Sequence, residues 1–432
     1  MKASPGTLEH VSFGGMNERL VGAPEENLAL ESVSVARDRP WLFGLLIAPS
    51  AVVANGIIQG GVLGYLLSQH GVGSGQQSHL IALLALPTTL YFLWSPITDF
   101  LVKRRTWLLI GGLSAGLLTY LAFARGNLTA TSTLVMMFAA ACASQLVVSS
   151  CGGMMGALRS EKSKRIAGSF YQGGSLGFGA AAVSVLVWMS GRTGQRMLGL
   201  GAALLIAVPA LFAIFAPEQE EALGTAFGEK MHDIWVEFKA TFFRWPAVPY
   251  TLCMLFPMAS GGAIGLLTGI AQNYGVNGDH VAWINGLGGA LMMTAGSLSA
   301  AKIPARLSAP VVYLSLGVIN AATLGILWLG PMHPSTYYAG VLLYLFTVGI
   351  CYSFFMAVVL EFMGASGKSG SGRYSIINSL GNVPVLYMIR LDGWGADKWG
   401  ARGLSGVECV VGGVGGALLL AYFLLRKRVT TN

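Results

Sequence analysis

Twelve apolar stretches, each long enough to cross a lipid bilayer, occupy most of this 432-residue chain. A helix needs roughly 20 mainly apolar residues to cross the hydrocarbon core, and its backbone amides must pair within the helix because lipid offers them no partner. The predicted crossing segments, numbered 1 to 12, lie near residues 41–67, 79–101, 106–124, 131–157, 166–190, 196–216, 247–272, 281–301, 308–330, 335–362, 373–390 and 403–425. The sequence therefore predicts an all-α membrane protein.

The composition excludes the soluble classes of protein. Hydrophobic residues make up 54% of the chain and charged residues 11%, and the mean hydropathy is +0.62. A soluble domain of this length does not show such a balance. The net charge of +8 would favour a nucleic-acid partner in a soluble protein, but here the basic residues follow membrane topology. We therefore predict contact with the lipid bilayer and no nucleic-acid partner.

A charged interval from residue 217 to 249 divides the crossing segments into two sets of six. This layout is typical of a two-half membrane transporter, which we expect to be a monomer. The predicted domains are a disordered cytoplasmic tail at 1–38, a six-helix half at 39–216, a cytoplasmic linker at 217–246, a second six-helix half at 247–426 and a cytoplasmic tail at 427–432. The first tail carries five glutamates and no apolar core, so it is not a cleaved signal peptide.

The basic residues of the loops predict the orientation. With both termini inside, the short inner loops hold eleven basic residues: Lys103, Arg104, Arg105, Arg159, Lys162, Lys164, Arg165, Lys302, Arg306, Lys368 and Arg373. The outer loops hold six: Arg125, Arg192, Arg196, Arg390, Lys398 and Arg402. The positive-inside rule therefore places both termini in the cytoplasm, and we expect a multi-pass protein of the bacterial inner membrane.

A glycine pattern recurs in the two halves. Gly60, Gly61 and Gly64 in segment 1 have the same spacing as Gly261, Gly262 and Gly265 in segment 7, and each set is followed by a second glycine pair, at Gly71 and Gly275, with a gap that differs by three residues. Together with the six-plus-six layout, this predicts two related halves arranged about an axis along the membrane normal. Near Gly261, Gly262 and Pro257, we expect bending or close packing of the helix.

The linker contains a short amphipathic pattern over 229–243, with Trp235 and Phe238 on its apolar side and Glu237 on its polar side. Such a helix lies in a membrane interface. Two interpretations remain, a linker helix on the inner membrane face and a regulatory element that binds a partner.

Motifs for catalysis or for a cofactor are not found. The five cysteines lie apart in apolar segments, without the spacing of a metal site. The inner loops and the middle of the segments contain no HExxH motif, phosphate-binding loop or nucleophile–base pair. We therefore predict a protein that is not an enzyme and needs no cofactor or metal.

The stretch Leu-Pro-Thr-Thr-Leu-Tyr-Phe-Leu-Trp-Ser-Pro-Ile-Thr-Asp at 86–99, followed by Lys103-Arg104-Arg105, carries a family resemblance. Together with the twelve segments it resembles the major facilitator superfamily, and within it the muropeptide permease (AmpG-type) and acetyl-CoA transporter branch; single-subunit siderophore permeases are near relatives. The loop departs from the superfamily's general motif, because Ser95 and Val102 or Lys103 stand where glycines are expected. That departure weakens the transfer of the standard gating role.

The resemblance implies a central cavity lined by segments 1, 4, 7 and 10, with 5, 8 and 11 beside them. Polar side chains at mid-depth are the candidate substrate contacts, several of them at i, i+4 spacing on one helix face. They are Asn55, Gln59, Gln145, Ser149, Tyr171, Gln172, Tyr344, Tyr352, Asn378 and Asn382. The alternative is that these groups form hydrogen bonds between helices, each contributing about 0.6 to 2 kcal/mol.

Charged residues at the ends of segments are candidate gating or coupling groups. We expect Asp99 to pair with Arg159 or the 103–105 run, and Glu361 with Lys302 or Arg306, so that the inner side closes when these pairs form. Solvated charges of little energetic weight are the alternative. The full gating and coupling set is Asp99, Arg104, Arg159, Lys302, Arg306, Glu361, Arg390 and Asp392.

Proton coupling has three candidate carboxyls, Asp99, Glu361 and Asp392, and its absence is the alternative. Glu408 is predicted near the outer end of segment 12, and no carboxylate is expected deep in a segment.

The leading functional hypothesis is a secondary transporter that imports a sizeable polar organic solute, such as a muropeptide-like compound or a siderophore, by alternating access. Protons are a candidate second substrate, which would make the protein a symporter. A multidrug efflux transporter and a non-transporting membrane sensor are the alternatives.

Overall fold

The computed structural model describes residues 39–94, 97–98, 102–156, 158, 161–216, 228, 232, 235–236, 238–239, 242–243, 245–303, 308–364, 377 and 379–431. Within these ranges every regular element is helical. The main crossing elements are α1 (Pro40–Gln69), α2 (Ser74–Thr89), α3 (Arg104–Ala124), α4 (Thr131–Gly156), α5 (Glu161–Ser190), α6 (Gln195–Leu211), α7a (Val248–Leu255), α7b (Ile264–Ile270), α8 (Gly278–Ser299), α9 (Ala309–Leu329), α10 (Pro334–Gly364), and a kinked run, Val383–Thr431, that forms α11 and α12.

Nine stretches of the described residues are long and apolar enough to cross a membrane. One of them, Ser379–Leu425, contains both α11 and α12, because the backbone leaves the helical region at Trp399 and at Gly400, whose φ is 66°. Helix α2 is too short for this criterion, and α7a and α7b are two pieces of one crossing. The described chain thus forms the predicted twelve-helix membrane fold.

Successive helices run in opposite directions, so the loops gather at two ends. The Arg192 end holds the connections at 70–73, 125–130, 191–194, 275–277, 330–333 and 399–400. The Arg104 end holds the described residues between α2 and α3, between α4 and α5 and between α8 and α9.

The packing follows the two predicted halves. In the first half α3 packs against α4 and α6, and in the second α9 packs against α10 and α12 while α8 packs against α10. The most extensive contacts between the halves in the described part of the chain are those of α1 with α7b, α2 with α11, and α5 with α8. The functional questions therefore concern these three seams.

Helix α1 is irregular where the sequence predicts a simple helix. Ala51–Ile58 is a π-helix, and the chain then bends before Val62. Gly61 at this bend has a φ of 110°, which is accessible to glycine and strained for other residues. A π-helical stretch often marks a functional site, and this one carries Asn55.

Segment 7 is predicted as one helix over 247–272, which is wrong. The helix ends at Leu255 and resumes at Ile264. Pro257 has no backbone N–H to continue the first piece, and Ala259 and Gly261 have positive φ values of 49° and 74°. The expected bending near Pro257 and Gly261 is therefore confirmed, as a full break.

Two predicted boundaries are also wrong. Segment 2 is predicted over 79–101, but α2 ends at Thr89, shortly after Pro87, and a short 3-10 turn follows at Tyr91–Leu93. Segment 11 is predicted to end at residue 390, but α11 continues to the kink at Trp399. In the second case Arg390 and Asp392 were interpreted as the boundary, although only Arg390 is exposed.

The predicted linker at 217–246 and the predicted tail at 1–38 lie largely outside the described residues. Of the amphipathic pattern, the Trp235 and Phe238 rings stack with centroids 5.6 Å apart. Phe242 approaches Phe362 of α10 at 5.9 Å. The apolar side of the pattern is thus held together by aromatic contacts.

Candidate functional site

A chain of hydrogen bonds crosses the seam between the halves. Gln59 of α1 donates through Nε2 to Thr88 Oγ1 of α2, at 3.2 Å. Asn382, just before α11, donates through Nδ2 to the Thr88 carbonyl, also at 3.2 Å. Two of the predicted site residues, from different halves, are therefore brought together on one threonine.

Asn55 lies one helical turn from Gln59 but bonds to another helix. Its Nδ2 donates to Ser175 Oγ of α5 at 2.9 Å. Asn55 is exposed, although Ala54 and Gly56 beside it are buried. An amide is costly to place in lipid, and 83% of the hydrophobic window of α1 is buried, so Asn55 borders an open space within the bundle.

The glycine motifs of segments 1 and 7 meet each other at this level. A Cβ atom at Gly64 would overlap the carbonyl oxygen of Gly265, and one at Gly265 would lie 3.0 Å from the carbonyl oxygen of Gln59. Thr268 Oγ1 donates to the Gly61 carbonyl at 2.8 Å. Helices α1 and α7b therefore touch through main-chain atoms directly beside Gln59.

Four other predicted contacts lie within the first half. Gln145 is buried and donates to Ser144 Oγ at 3.3 Å, and the buried Ser149 hydroxyl lies 3.0 Å from Thr98 Oγ1. Tyr171 packs against the apolar cluster near the Arg104 end, while Gln172 is exposed. These four are not part of the Asn55–Gln59–Asn382 group, and their role as substrate contacts stays a prediction.

The two predicted tyrosines of α10 lie in a second polar cluster, in the other half. The Tyr344 hydroxyl donates to Glu408 Oε1 of α12 at 3.2 Å, and Ser260 Oγ, in the break of α7, donates to the same oxygen at 3.4 Å. Tyr352 lies beside Gly261 of that break. Asp392 and Glu408 are 0% and 2% exposed, so the prediction of no deep carboxylate is wrong. Asn378 lies outside the described residues.

Side chains and backbone groups of the two halves contact each other at the Arg192 end. Arg192, which follows α5, forms a bidentate ion pair with Asp279 of α8, with N–O distances of 2.8 and 3.0 Å. The Gly75 amide donates to Asp397 Oδ1 at 2.7 Å, and Arg390 contacts His79. Arg390 was predicted as a gating residue, whereas Arg192, Asp279 and Asp397 were not.

Most residues of the gate predicted at the Arg104 end lie outside the described residues. Asp99, Arg159 and Arg306 lie outside the described residues, as does the side chain of Glu361. Lys302 is exposed, and the Arg104 guanidinium packs against Gly153 of α4. The inner-end ion pairs therefore stay a prediction.

Several site residues were missed by sequence reasoning. Thr88 and Ser175 carry hydroxyls, which are common in membrane helices and therefore give little signal. Ser260 is placed by the break in α7, which the apolar pattern does not show. Glu408 could have been found, because an ionisable residue inside the 403–425 stretch is itself a functional indicator.

Metal binding has no support in the described residues, which contain no group of three or more His, Cys, Asp or Glu side chains that could hold an ion. The side chains of the Asn55–Gln59–Asn382 group are amides, and their partners are two hydroxyls and one backbone carbonyl. Such an arrangement can hydrogen-bond a solute from both halves at once, and it contains no nucleophile positioned beside a base.

The family follows from comparison with known sequences. The model of the Major Facilitator Superfamily matches residues 45–386, which is most of the chain. A search of curated proteins finds no significant match. The chain belongs to the major facilitator superfamily: it is a multi-pass membrane protein and a secondary transporter, and members of this family are transporters and not enzymes.

Proposed function

We propose that this transporter imports a sizeable polar organic solute across the bacterial inner membrane, acting as a monomer by alternating access. A muropeptide-like sugar–peptide or a siderophore is the proposed substrate class. The observation that carries the proposal is the hydrogen-bonded chain Gln59–Thr88–Asn382, which joins the halves one helical turn from the exposed Asn55. A solute bound there would replace contacts between the halves by its own.

The chemistry of this group favours a neutral or zwitterionic solute. Asn55, Gln59 and Asn382 each offer both donors and acceptors, and none carries a charge. Hydroxyls and amides of sugars and peptides match such a surface. A strongly anionic thioester such as acetyl-CoA would need several basic side chains, and this group provides none. The preference for import rests on the resemblance of the 86–99 stretch.

Alternating access is supported by contacts between the halves that such a cycle must break. An ion pair and a hydrogen bond from a backbone amide to a carboxylate join the halves at the Arg192 end. The positive-inside pattern predicts that this end is the outer one. In the proposed cycle the structure is closed to the outside, and the Arg192–Asp279 pair must separate when the outward-facing state forms.

Uptake measurements test the proposal. Vesicles containing the protein would be given a labelled sugar–peptide or a ferric siderophore, with and without an uncoupler. Substrate-dependent accumulation is expected, and it should fall in Asn382→Ala but not in Asn127→Ala, whose amide lies in the loop between α3 and α4 and accepts a hydrogen bond from Thr129. Export of unrelated lipophilic compounds instead would indicate drug efflux. If neither uptake nor export is observed, the result contradicts transport of this class.

A further inference from the structure

Two carboxyl groups meet in the interior of the second half. Asp392 lies on α11 and Glu408 on α12, and the kink at Trp399–Gly400 folds these helices against each other. Both side chains are fully enclosed, and they lie within hydrogen-bonding reach of each other. Residues 392 and 408 therefore form one site, which we call the carboxyl pair.

The donors around the carboxyl pair are unevenly shared. Glu408 Oε1 accepts from the Tyr344 hydroxyl and from Ser260 Oγ. Glu408 Oε2 and both oxygens of Asp392 are buried and receive no hydrogen bond from the described part of the chain. Buried acceptors are almost always paired, so three such atoms in one place need an explanation.

Neighbouring charged groups do not explain the three unpaired oxygens. The titratable groups that face the pair are Tyr344 and Tyr352 of α10, Tyr387 of α11 and Cys409 of α12. Among the described residues, no lysine, arginine or histidine acts on either carboxyl. Two adjacent carboxylates without a cation would repel each other and lose their hydration at the same time.

One proton removes the repulsion and pairs two of the three atoms. A protonated Asp392 can donate its O–H to Glu408 Oε2, which gives that oxygen its missing donor and leaves a single negative charge on the pair. The remaining charge lies on Glu408, where Tyr344 and Ser260 already donate. We propose that Asp392 and Glu408 form a proton-binding site that holds one proton between them and exchanges it with water during the transport cycle.

The position of the pair links it to the seams between the halves. On α11, Gly393 packs against Ser78 of α2, and Arg390 contacts His79. Ser260 lies in the break of α7, whose second piece touches α1. A change of charge at the carboxyl pair can therefore alter the packing at two of the three seams, that of α2 with α11 and that of α1 with α7b. This coupling role rests on the proposed transport function, whereas proton binding itself does not.

The experiment is an infrared pH titration of the full-length protein in vesicles of phosphatidylcholine and phosphatidylglycerol. A buried protonated carboxyl gives a C=O stretching band that is separate from the bands of ionised carboxylates and amides. We expect one such band in the parent, lost as the pH is raised. Asp392→Asn and Glu408→Gln should each abolish this titration, since either change removes one member of the pair.

Controls make the result decisive. Asp397→Asn removes an exposed carboxyl from the same helix and should leave the band unchanged. The main measurement is the pH titration of the C=O band in the parent protein, so the test does not depend on whether a variant folds. Absence of the band, a band that persists at every pH at which the protein stays folded, or a titration that survives both substitutions would overturn the proposal. Failed solute uptake would contradict the proposed function and leave this titration as it stands.

Discussion

At the level of residues, the amide of Asn382 is the group of the candidate site that most directly joins the two halves. It donates to the backbone of α2, at the threonine that also accepts from Gln59. A side chain with this position can exchange its internal partner for a solute at little cost, because the hydrogen bond lost and the one gained are of the same kind.

Asn382→Ala should therefore weaken solute binding without unfolding the protein. One neutral hydrogen bond contributes about 1 kcal/mol, so we expect KM for the transported solute to rise about fivefold with a smaller change in the maximal rate. The measurement is concentration-dependent uptake into vesicles, with Asn127→Ala as the control. An unchanged KM would show that Asn382 only joins helices.

The carboxyl pair gives a second prediction at this scale. Asp392→Asn keeps the size of the side chain and removes the exchangeable charge, so coupling to a proton gradient should be lost. Accumulation driven by an imposed pH gradient is expected to disappear, whereas exchange of internal for external solute, which needs no net proton movement, should continue. Both are measured in the same vesicles, and equal loss of the two activities would contradict the prediction.

At the level of elements, the contact between α1 and α7b depends on glycine. Gly64 and Gly265 let the two backbones touch, and neither position has room for a side chain at the present distance. Close approach through small residues is a general means by which membrane helices associate, since lipid provides no hydrophobic force between them.

Gly64→Ala should destabilise the protein by about 1 to 3 kcal/mol, because the added methyl group overpacks a contact with backbone. The matched control is Gly177→Ala in α5, where the same methyl group meets nothing within 4 Å. Thermal unfolding in detergent should show a lower midpoint for the first variant and an unchanged or higher one for the second. Equal midpoints would mean that α1 and α7b separate easily.

Elements also show where sequence reasoning fails. Helices α3, α4 and α9 follow the predicted segments closely, because long uninterrupted apolar runs end at polar loops. The broken α7 and the short α2 do not, since proline and glycine interrupt the hydrogen bonding while the apolar pattern continues. The sequence suggests a helix end at Asp392 because an ionisable residue usually marks a membrane boundary, whereas in the structure this carboxyl group is buried.

At the level of the whole molecule, the ion pair between Arg192 and Asp279 is a contact that the proposed transport cycle must break. The groups lie on different halves, at the Arg192 end. Charge reversal of one partner, Arg192→Asp, should favour separation of the halves at this end, and the exchanged pair Arg192→Asp with Asp279→Arg should restore the original balance.

The ratio of the conformations with the halves together and apart at the Arg192 end can be measured through an engineered Asn55→Cys. The measured quantity is the rate at which a membrane-impermeant thiol reagent modifies this cysteine from each side of reconstituted vesicles. Both charges are exposed, so high salt should reduce the difference between the single variant and the parent. A double variant that behaves like the single one would remove the pair from the closing mechanism.

The twelve-helix fold could be predicted from the sequence because crossing a bilayer restricts a chain so strongly. The candidate site could be predicted in part: Asn55, Gln59 and Asn382 stand out as amides in apolar helices, whereas Thr88 does not. Glu408 was visible in the sequence but was assigned to a helix end. Contacts between halves, such as Arg192 with Asp279, depend on which loops become neighbours, and a single sequence carries no direct record of that.

The glycine contact between α1 and α7b has a consequence for the speed of the transport cycle. Interlocked side chains must change rotamers when two helices tilt, and each change adds to the barrier. Where Gly64 meets Gly265 the contact is between main-chain atoms, so the helices can pivot with little side-chain rearrangement beyond the Thr268 hydroxyl, which donates to the Gly61 carbonyl. The barrier to reorientation should then be set by the polar contacts at the seams, and the substrate is the species best placed to lower it.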